Sequence, residues 1–396
     1  MSMKILHISQ SYTQLGGTEQ YIIALTHLFK KDHENIVVYR QDHPATIKDK
    51  NTFSIYLPPT ASYKDTFNSI KQIVKDNAVD ISMLHQVYEP ELITATLAVG
   101  PTIGYIHNFI PTCPAETKLF RHPDEICTHP FNNKCAALIY FRRCSEARNP
   151  LTVRQLLNNK SKIKEAYQSL KHILVASHYM RDLLIQNGFT ANKIDILPPH
   201  FENPHDIVEP QRKPRLLLFV GRLEIEKGFP YLLKAFSKVK NESHLLVVGD
   251  GTQRVKYENM VNRVGLQSKT TFLGWLGQPE LHKLYDQASL VVLPSIYPEP
   301  FGKVGIEAMS HSRAVIAFNV GGISDWLQDG INGYLIAPLD VDQLSNRIDS
   351  LLSDDELMLK MGINGHKLSN AIYSPEQHRS RLENIFSESI RVYNQE

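Results

Sequence analysis

Long apolar runs are missing from this chain. No segment approaches the ~20 consecutive apolar residues that a membrane-spanning helix needs. The N-terminus, MSMKILHIS, runs straight into a strand, with neither the apolar length nor the small-residue cleavage site of a signal peptide. The expected location is the cytoplasm. Charge of one sign is missing as well: 43 Lys and Arg against 41 Asp and Glu leave a net +2, which offers nucleic acid no global attraction. Short-period repeats and low-complexity tracts are absent. Cysteine is scarce, and its four residues all fall between positions 113 and 144.

What is present is alternation. Strand-like apolar runs at 4–9, 36–40, 80–84, 102–106, 173–176 and 194–197 are separated by helical patterns at 18–31, 64–77, 89–99 and one ending at Gly188. That order predicts a parallel sheet with helices on both faces. Pro198, Pro199, Pro204, Pro210 and Pro214 then punctuate a polar connector, the best domain boundary in the sequence. Strand runs resume at 216–220, 245–248, 270–273, 290–293 and 314–318. At 396 residues the chain is too long for one ordinary core. The expected fold is therefore α/β, with two doubly wound, Rossmann-like parallel-sheet domains at 1–205 and 206–373 facing across a cleft. The first carries a cysteine-containing insertion at 108–150. A last helix within 374–396, with apolar Ile385, Ile390 and Val392, is expected to pack back on the first domain.

Residues 298–310, PEPFGKVGIEAMS, organise the second domain. They follow the apolar run SLVVL and Pro294. Gly302 opens a helical pattern in which Val304, Ile306, Ala308 and Met309 face the core. Glu299 precedes that helix and Glu307 lies inside it. Both can point at the crevice outside the carboxyl end of a parallel strand, where open α/β sheets bind ligands. Between them, the N–H groups of the first helical turn suit an anion, preferably phosphate. Carboxylates accept from vicinal hydroxyls, so the pair suggests a polyol at each end of a phosphate, the outline of a nucleotide sugar. A helix cap and a solvated helix residue are the plainer reading of this stretch taken alone.

Other strand-to-helix loops carry related chemistry. Gly16 and Gly17 follow the first strand, with Thr18 as helix N-cap; glycines let the backbone approach a ligand, and the helix start favours phosphate. Gly221-Arg222 ends the first strand of the second domain, and Lys227-Gly228 stands before the next helix. The planar fork of Arg222 and the mobile point charge of Lys227 together offset a diphosphate without a metal, unless both are ordinary surface cations. Gly249-Asp250-Gly251 and Gly274-Trp275-Leu276 suit a nucleoside, and Asn319-Val320-Gly321-Gly322 suits the closing of a pocket.

In this order and spacing, GG-T-E, GRL…EKG, VVGDG, FLGW, EPFGKVGIEAM and VGGISDWLQDGINGYLI resemble the retaining glycosyltransferases of family 4, of GT-B architecture in the glycogen- and sucrose-synthase-like superfamily. The resemblance covers nearly all of the chain and is strongest over 220–336. It implies transfer of a hexosyl group from a UDP-sugar or GDP-sugar bound by 206–373 to a glycan or lipid-linked acceptor bound by 1–205, in cell-surface polysaccharide or glycolipid synthesis. No cofactor is implied for catalysis. By matching motif, Arg222 and Lys227 hold the donor diphosphate with backbone help from Gly17 beside Gly16. Glu299 holds hydroxyls of the donor sugar and Glu307 those of the ribose. The backbone at Phe301, Gly302 and Lys303 contacts the sugar, and that at Val304 the phosphate. His107 stands where the family often has a histidine near the anomeric centre, so the implied catalytic set is His107, Arg222, Lys227 and Glu299. Two departures stand out: Asn108 replaces a frequent Asp, removing a charge beside the reacting centre, and the GG-x-x-E pattern ends in Asp325. A GT-B epimerase or phosphorylase, and a catalytically inactive GT-B binding module, are the alternatives.

Two features lie outside these motifs. Cys113, Cys127, Cys135 and Cys144, with His122 and His129 interleaved, suggest a structural zinc held by four thiolates. No CxxC occurs, so buried or free thiols stay open beside zinc, and a reducing compartment disfavours disulfides. Over 142–171, Arg142, Arg143, Arg148, Arg154, Lys160, Lys162, Lys164 and Lys171 are interleaved with Leu151, Leu156, Leu157, Ile163 and Tyr167. This is either a solvated helix face or a basic amphipathic surface for peripheral contact with an anionic membrane.

Overall fold

The computed structural model describes residues 2–13, 16–47, 52–59, 62–122, 124–201, 207, 209 and 214–395. Pro204, Pro210 and the expected boundary between 205 and 206 lie outside the described residues. The chain divides into two compact units. One comprises Met1–Glu116, Thr128–Pro199 and Pro375–Glu396; the other comprises Thr117–Cys127 and His200–Ser374.

In chain order the strands of the first unit's sheet begin with β1 (Lys4–Ser9), β2 (Glu34–Tyr39), β3 (Phe53–Tyr56), β4 (Ile81–Leu84) and β5 (Thr102–Ile106). A short antiparallel hairpin, β6 (Leu119–Arg121) and β7 (Asp124–Ile126), intervenes before β8 (His172–Val175) and β9 (Ile194–Ile196) complete the sheet. The sheet order is β3-β2-β1-β4-β5-β8-β9, parallel throughout. Every residue of β4 and β5 is buried, as expected of strands covered by helices on both faces. The order turns back on itself between β1 and β4, so the ligand crevice of a doubly wound sheet lies at their carboxyl ends.

The second unit repeats the plan with β10 (Leu216–Val220), β11 (His244–Val248), β12 (Thr270–Gly274), β13 (Leu290–Leu293), β14 (Ala314–Phe318) and β15 (Gly333–Ile336). Its order is β12-β11-β10-β13-β14-β15, again parallel, with the switch point between β10 and β13. The runs LVVL and AVIAF are wholly buried and form strands with the expected bounds. Strands β3 and β15 were not expected. Both are edge strands, the first with Phe53 and Tyr56 exposed and the second opening on Gly333, so neither shows a core-type apolar run. The hairpin clusters with the second unit although it falls inside the insertion at 108–150; there Asp124 Oδ2 accepts from Tyr231 Oη at 3.2 Å.

The last helix, Pro375–Asn394, belongs to the first unit. It buries His378, Leu382, Phe386 and Ser389, a stripe of helical spacing, rather than Ile385, Ile390 and Val392. Phe386 packs on Phe29, and His378 Nε2 lies 2.9 Å from Tyr21 Oη. Ile385, Ile390 and Val392 lie on the half-buried flank of the helix, out of phase with that stripe. Among the described residues no helix is long and apolar enough to cross a membrane.

Candidate active site

In the second unit the loop after β10 and the loop after β13 meet at the switch point. Lys227 Nζ donates to Glu299 Oε1 at 2.7 Å and to Tyr297 Oη at 3.1 Å, and sits 4.7 Å from the Tyr297 ring centre. Ser295 Oγ donates to Glu299 Oε1 at 2.6 Å, and Tyr297 Oη to Oε2 at 2.8 Å. Burial alone would raise the Glu299 carboxyl, but the Lys227 ammonium and the hydrogen bonds from Lys227, Ser295 and Tyr297 hold it below the usual range. Burial likewise opposes the charge on Lys227, and the Glu299 carboxylate outweighs it, raising the ammonium above its ordinary value. Both groups are therefore ionised near neutral pH. An ionised carboxylate can only accept hydrogen bonds, which suits it to hydroxyl groups.

The backbone makes this meeting possible. Gly228 has φ 67°, and a Cβ there would stand 1.8 Å from the carbonyl oxygen of Pro294, so only glycine lets the β10 loop touch the β13 loop. On the far side, Gly322 N–H donates to the Glu299 carbonyl at 2.8 Å, so the glycine tract after β14 pins the loop that carries Glu299.

The helix Lys303–Ser310 starts at Gly302, which provides no side-chain cap for the first turn. Trp326 Nε1 donates to the Phe301 carbonyl at 2.6 Å and fixes the approach to that helix. Ile306, Ala308 and Met309 are fully buried as expected, whereas Val304 is half-buried. Glu307 is no solvated helix residue: it is 7% exposed and accepts from Tyr285 Oη at 2.9 Å. Lys303 Nζ lies 3.4 Å from its other oxygen. Arg222 differs, being 65% exposed with Nη2 donating to Glu226 Oε1 at 2.9 Å. Lys227 and Glu299 are thus brought into contact, while Arg222 stands apart on the loop surface. Ser295, Tyr297 and Tyr285 are members that sequence reasoning missed; as single loop or helix residues they carry no spacing signal.

In the first unit, His107 follows β5. Its ring stacks on Tyr105 with centres 4.2 Å apart, and burial lowers its pKa to about 3, leaving a neutral imidazole. Asn108 uses its side-chain oxygen on its own turn, accepting from Ile110 N–H at 3.0 Å. Gly16 is the N-cap of the helix Gly17–Phe29 and has no side chain to cap it. A Cβ at Gly16 would meet Glu19 Oε2 at 2.0 Å, while one at Gly17 meets nothing within 4 Å. Glu19 in turn accepts from Ser11 Oγ at 2.5 Å.

One expectation needs correction. Among the described residues no group of three or more His, Cys, Asp or Glu is placed to hold a metal, so Cys113, Cys127, Cys135 and Cys144 do not assemble a zinc site. Cys113 follows β5, Cys127 ends the hairpin, Cys135 starts a helix and Cys144 lies beyond it, the first three buried and the last half-buried. In the basic stretch, Lys160 is 4% exposed and ion-paired with Glu116, and Arg148 is turned onto the carbonyls of Ser145 and Ala147. Lys160 is therefore no solvated surface cation, whereas Arg148 is exposed.

Residues 201–368 match the family model described as Glycosyl transferases group 1. Among solved structures, Anabaena HepE in complex with UDP and glucose superposes with a TM-score of 0.72 over 98% of this chain and 100% of that one, at 17% identity. The fold is that of the GT-B glycosyltransferase superfamily. The chain is 34% identical over 181 residues to an uncharacterized glycosyltransferase of Methanocaldococcus jannaschii, covering 45% of this chain and 44% of that protein. It is 31% identical over 205 residues to the lipopolysaccharide 1,2-N-acetylglucosaminetransferase of Salmonella typhimurium, covering 46% and 54%. The chain thus spans about half the length of the curated relatives it matches.

Proposed function

We propose that the protein is a cytoplasmic retaining hexosyltransferase that moves a sugar from a nucleotide-diphosphate sugar to a hydroxyl of a glycan or lipid-linked acceptor, in cell-surface polysaccharide or glycolipid synthesis. The observation that carries this reading is the buried Lys227–Glu299 pair, 2.7 Å apart at the β10/β13 switch point, with the second buried carboxylate, Glu307, in the helix that follows. Glu299 accepts from hydroxyls of the donor sugar, and Glu307 from those of the ribose. Lys227, Arg222 and the uncapped start of the helix Lys303–Ser310 stabilise the diphosphate as it leaves. The bond from the anomeric carbon to the phosphate oxygen breaks, and the acceptor oxygen bonds to the same face. The acceptor proton passes to the departing phosphate. HepE, solved with UDP, supports a uridine nucleotide as the first donor to test, with a GDP-sugar as the other choice. The lipopolysaccharide enzyme among the relatives supports a glycan acceptor.

The test is a thermal-shift screen of UDP, GDP, ADP, CMP and their sugar conjugates without added divalent cation. A ligand near 100 Kd that binds only the folded protein adds ~2.7 kcal/mol, a clear rise in Tm. Selective stabilisation by one nucleotide is the expected result, and none from any nucleotide would overturn the reading. Donor hydrolysis then separates a transferase from an inactive binding module.

Peripheral contact with anionic membrane is part of the same proposal. Phe141 and Leu151 are 79% and 69% exposed, close in sequence to Arg142, Arg143 and Arg154. Binding to anionic vesicles at low salt, abolished at high salt, is expected; no binding at low salt would remove this part.

A further inference from the structure

A row of hydrogen-bonded histidines stands behind His107. Asn35 Oδ1, on β2, lies 3.1 Å from His7 Nε2 in the middle of β1. His7 Nδ1 lies 3.1 Å from His85 Nε2, at the carboxyl end of β4. His85 Nδ1 lies 3.2 Å from His107 Nε2, at the carboxyl end of β5. His7 is fully buried and His85 is 1% exposed, and the rings are stacked at 5.4 and 5.5 Å. The groups facing the row are Tyr21 from the helix Gly17–Phe29, Tyr105 from β5, and His378 of the last helix, which reaches Tyr21. None of these is a carboxylate. Burial lowers the pKa of His7 to about 4 and that of His85 well below its ordinary value, so the row is neutral.

A neutral imidazole has one N–H and one bare nitrogen, so the row has a direction. The Asn35 carbonyl oxygen can only accept, which puts the His7 proton on Nε2. His7 Nδ1 is then an acceptor, and His85 donates to it through Nε2. His85 Nδ1 in turn accepts from His107 Nε2. His107 is left with a bare Nδ1, which has no protein hydrogen-bond partner among the described residues. The row ends on an amide, which cannot take up a proton, so it fixes a tautomer and does not conduct protons.

We propose that Asn35, His7 and His85 are positioning residues that lock His107 as the Nε2–H tautomer and so present Nδ1 as a fixed acceptor for a hydroxyl of the substrate. The role of that acceptor rests on the transferase reading above; the tautomer does not. Two readouts therefore separate the failures. Long-range ¹H–¹⁵N NMR of the wild-type protein should show His107 protonated at Nε2 alone. In His85→Phe, which keeps a ring of similar size, the His107 signals should move toward a tautomer mixture, while His85→Gln, whose amide can still accept, should largely restore the wild-type pattern. With an active donor, His85→Phe should lower kcat by about tenfold or more, the scale on which partners of a ligand-orienting histidine act. The donor KM should change little and Gln should rescue. A His107 ring that remains purely Nε2–H in His85→Phe would overturn the proposal whether or not a donor has been found. If the tautomer shifts and turnover stays within about twofold, the positioning of a substrate hydroxyl is refuted.

Discussion

In the second unit Lys227 and Glu299 are buried as an ion pair 2.7 Å apart, whereas in the first unit His7, His85 and His107 are buried without charge. Both sets stand at strands around the switch point of a parallel sheet. The difference lies in what each set can stabilise. An ion pair keeps two full charges ready at a fixed spot, which is what a leaving diphosphate and sugar hydroxyls require. A neutral row offers direction without charge. Charge is held in place only where its partner is equally buried, while orientation is held by a chain of donors and acceptors that ends on a group unable to ionise.

The largest effect that sharpens the contrast comes from Lys227→Ala. It leaves Glu299 buried and unpaired, so stability should fall by ~3–5 kcal/mol in chemical denaturation. Turnover should fall by about 10²–10³-fold. In Lys227→Met with Glu299→Gln, stability should recover most of the loss while turnover does not. Recovery of both would show that the pair serves packing alone.

Acid provides the next effect, and it should strike the two regions in sequence. The folded-state pKa values of His7 and His107, about 4 and about 3, lie below the ordinary 6.5, so between these limits the unfolded chain binds more protons. Stability should therefore fall as pH drops from about 6.5 toward 4, by up to about 1.4 kcal/mol per pH unit for each histidine. Glu299, held below the usual carboxylate range, adds its own loss only at lower pH, as it becomes protonated. His7→Phe should flatten the upper part of a Tm-against-pH curve and leave the lower part intact.

The smallest structural effect is expected at Arg222. Because it is 65% exposed and pairs with Glu226 on the loop surface, Arg222→Ala should change stability by less than about 1 kcal/mol. Donor turnover should nevertheless drop strongly. Near-normal turnover would remove Arg222 from the proposed diphosphate site.

Much of the fold was legible because parallel strands buried on both faces leave unbroken apolar runs: LLLFV, LVVL and AVIAF in the second unit, TIGYI in the first. β3 was not, since an edge strand with exposed Phe53 and Tyr56 buries too little to impose a pattern. Lys227, Glu299 and Glu307 drew attention through motif spacing. Their partners Ser295, Tyr297 and Tyr285 did not, because a hydrogen-bond partner needs only to be near in space. His7 and His85 are the sharper case: one reads as an ordinary histidine within an apolar strand and the other as one just past a strand end, and 78 residues separate them.

By itself, then, the sequence determined the α/β class, the order of the two sheets along the chain and the loops that carry charge, since these follow from local periodicity and from residue type. Only the tertiary structure decided that the hairpin joins the second unit, that Glu307 is buried rather than solvated, that the cysteines form no metal-type group of three or more among the described residues, and that three histidines form one row. Those outcomes depend on which strands become neighbours, and strand order places β1 between β2 and β4 and sets β5 beside β4. Adjacency in a parallel sheet is set by crossover connections that span dozens of residues, and no local pattern encodes it.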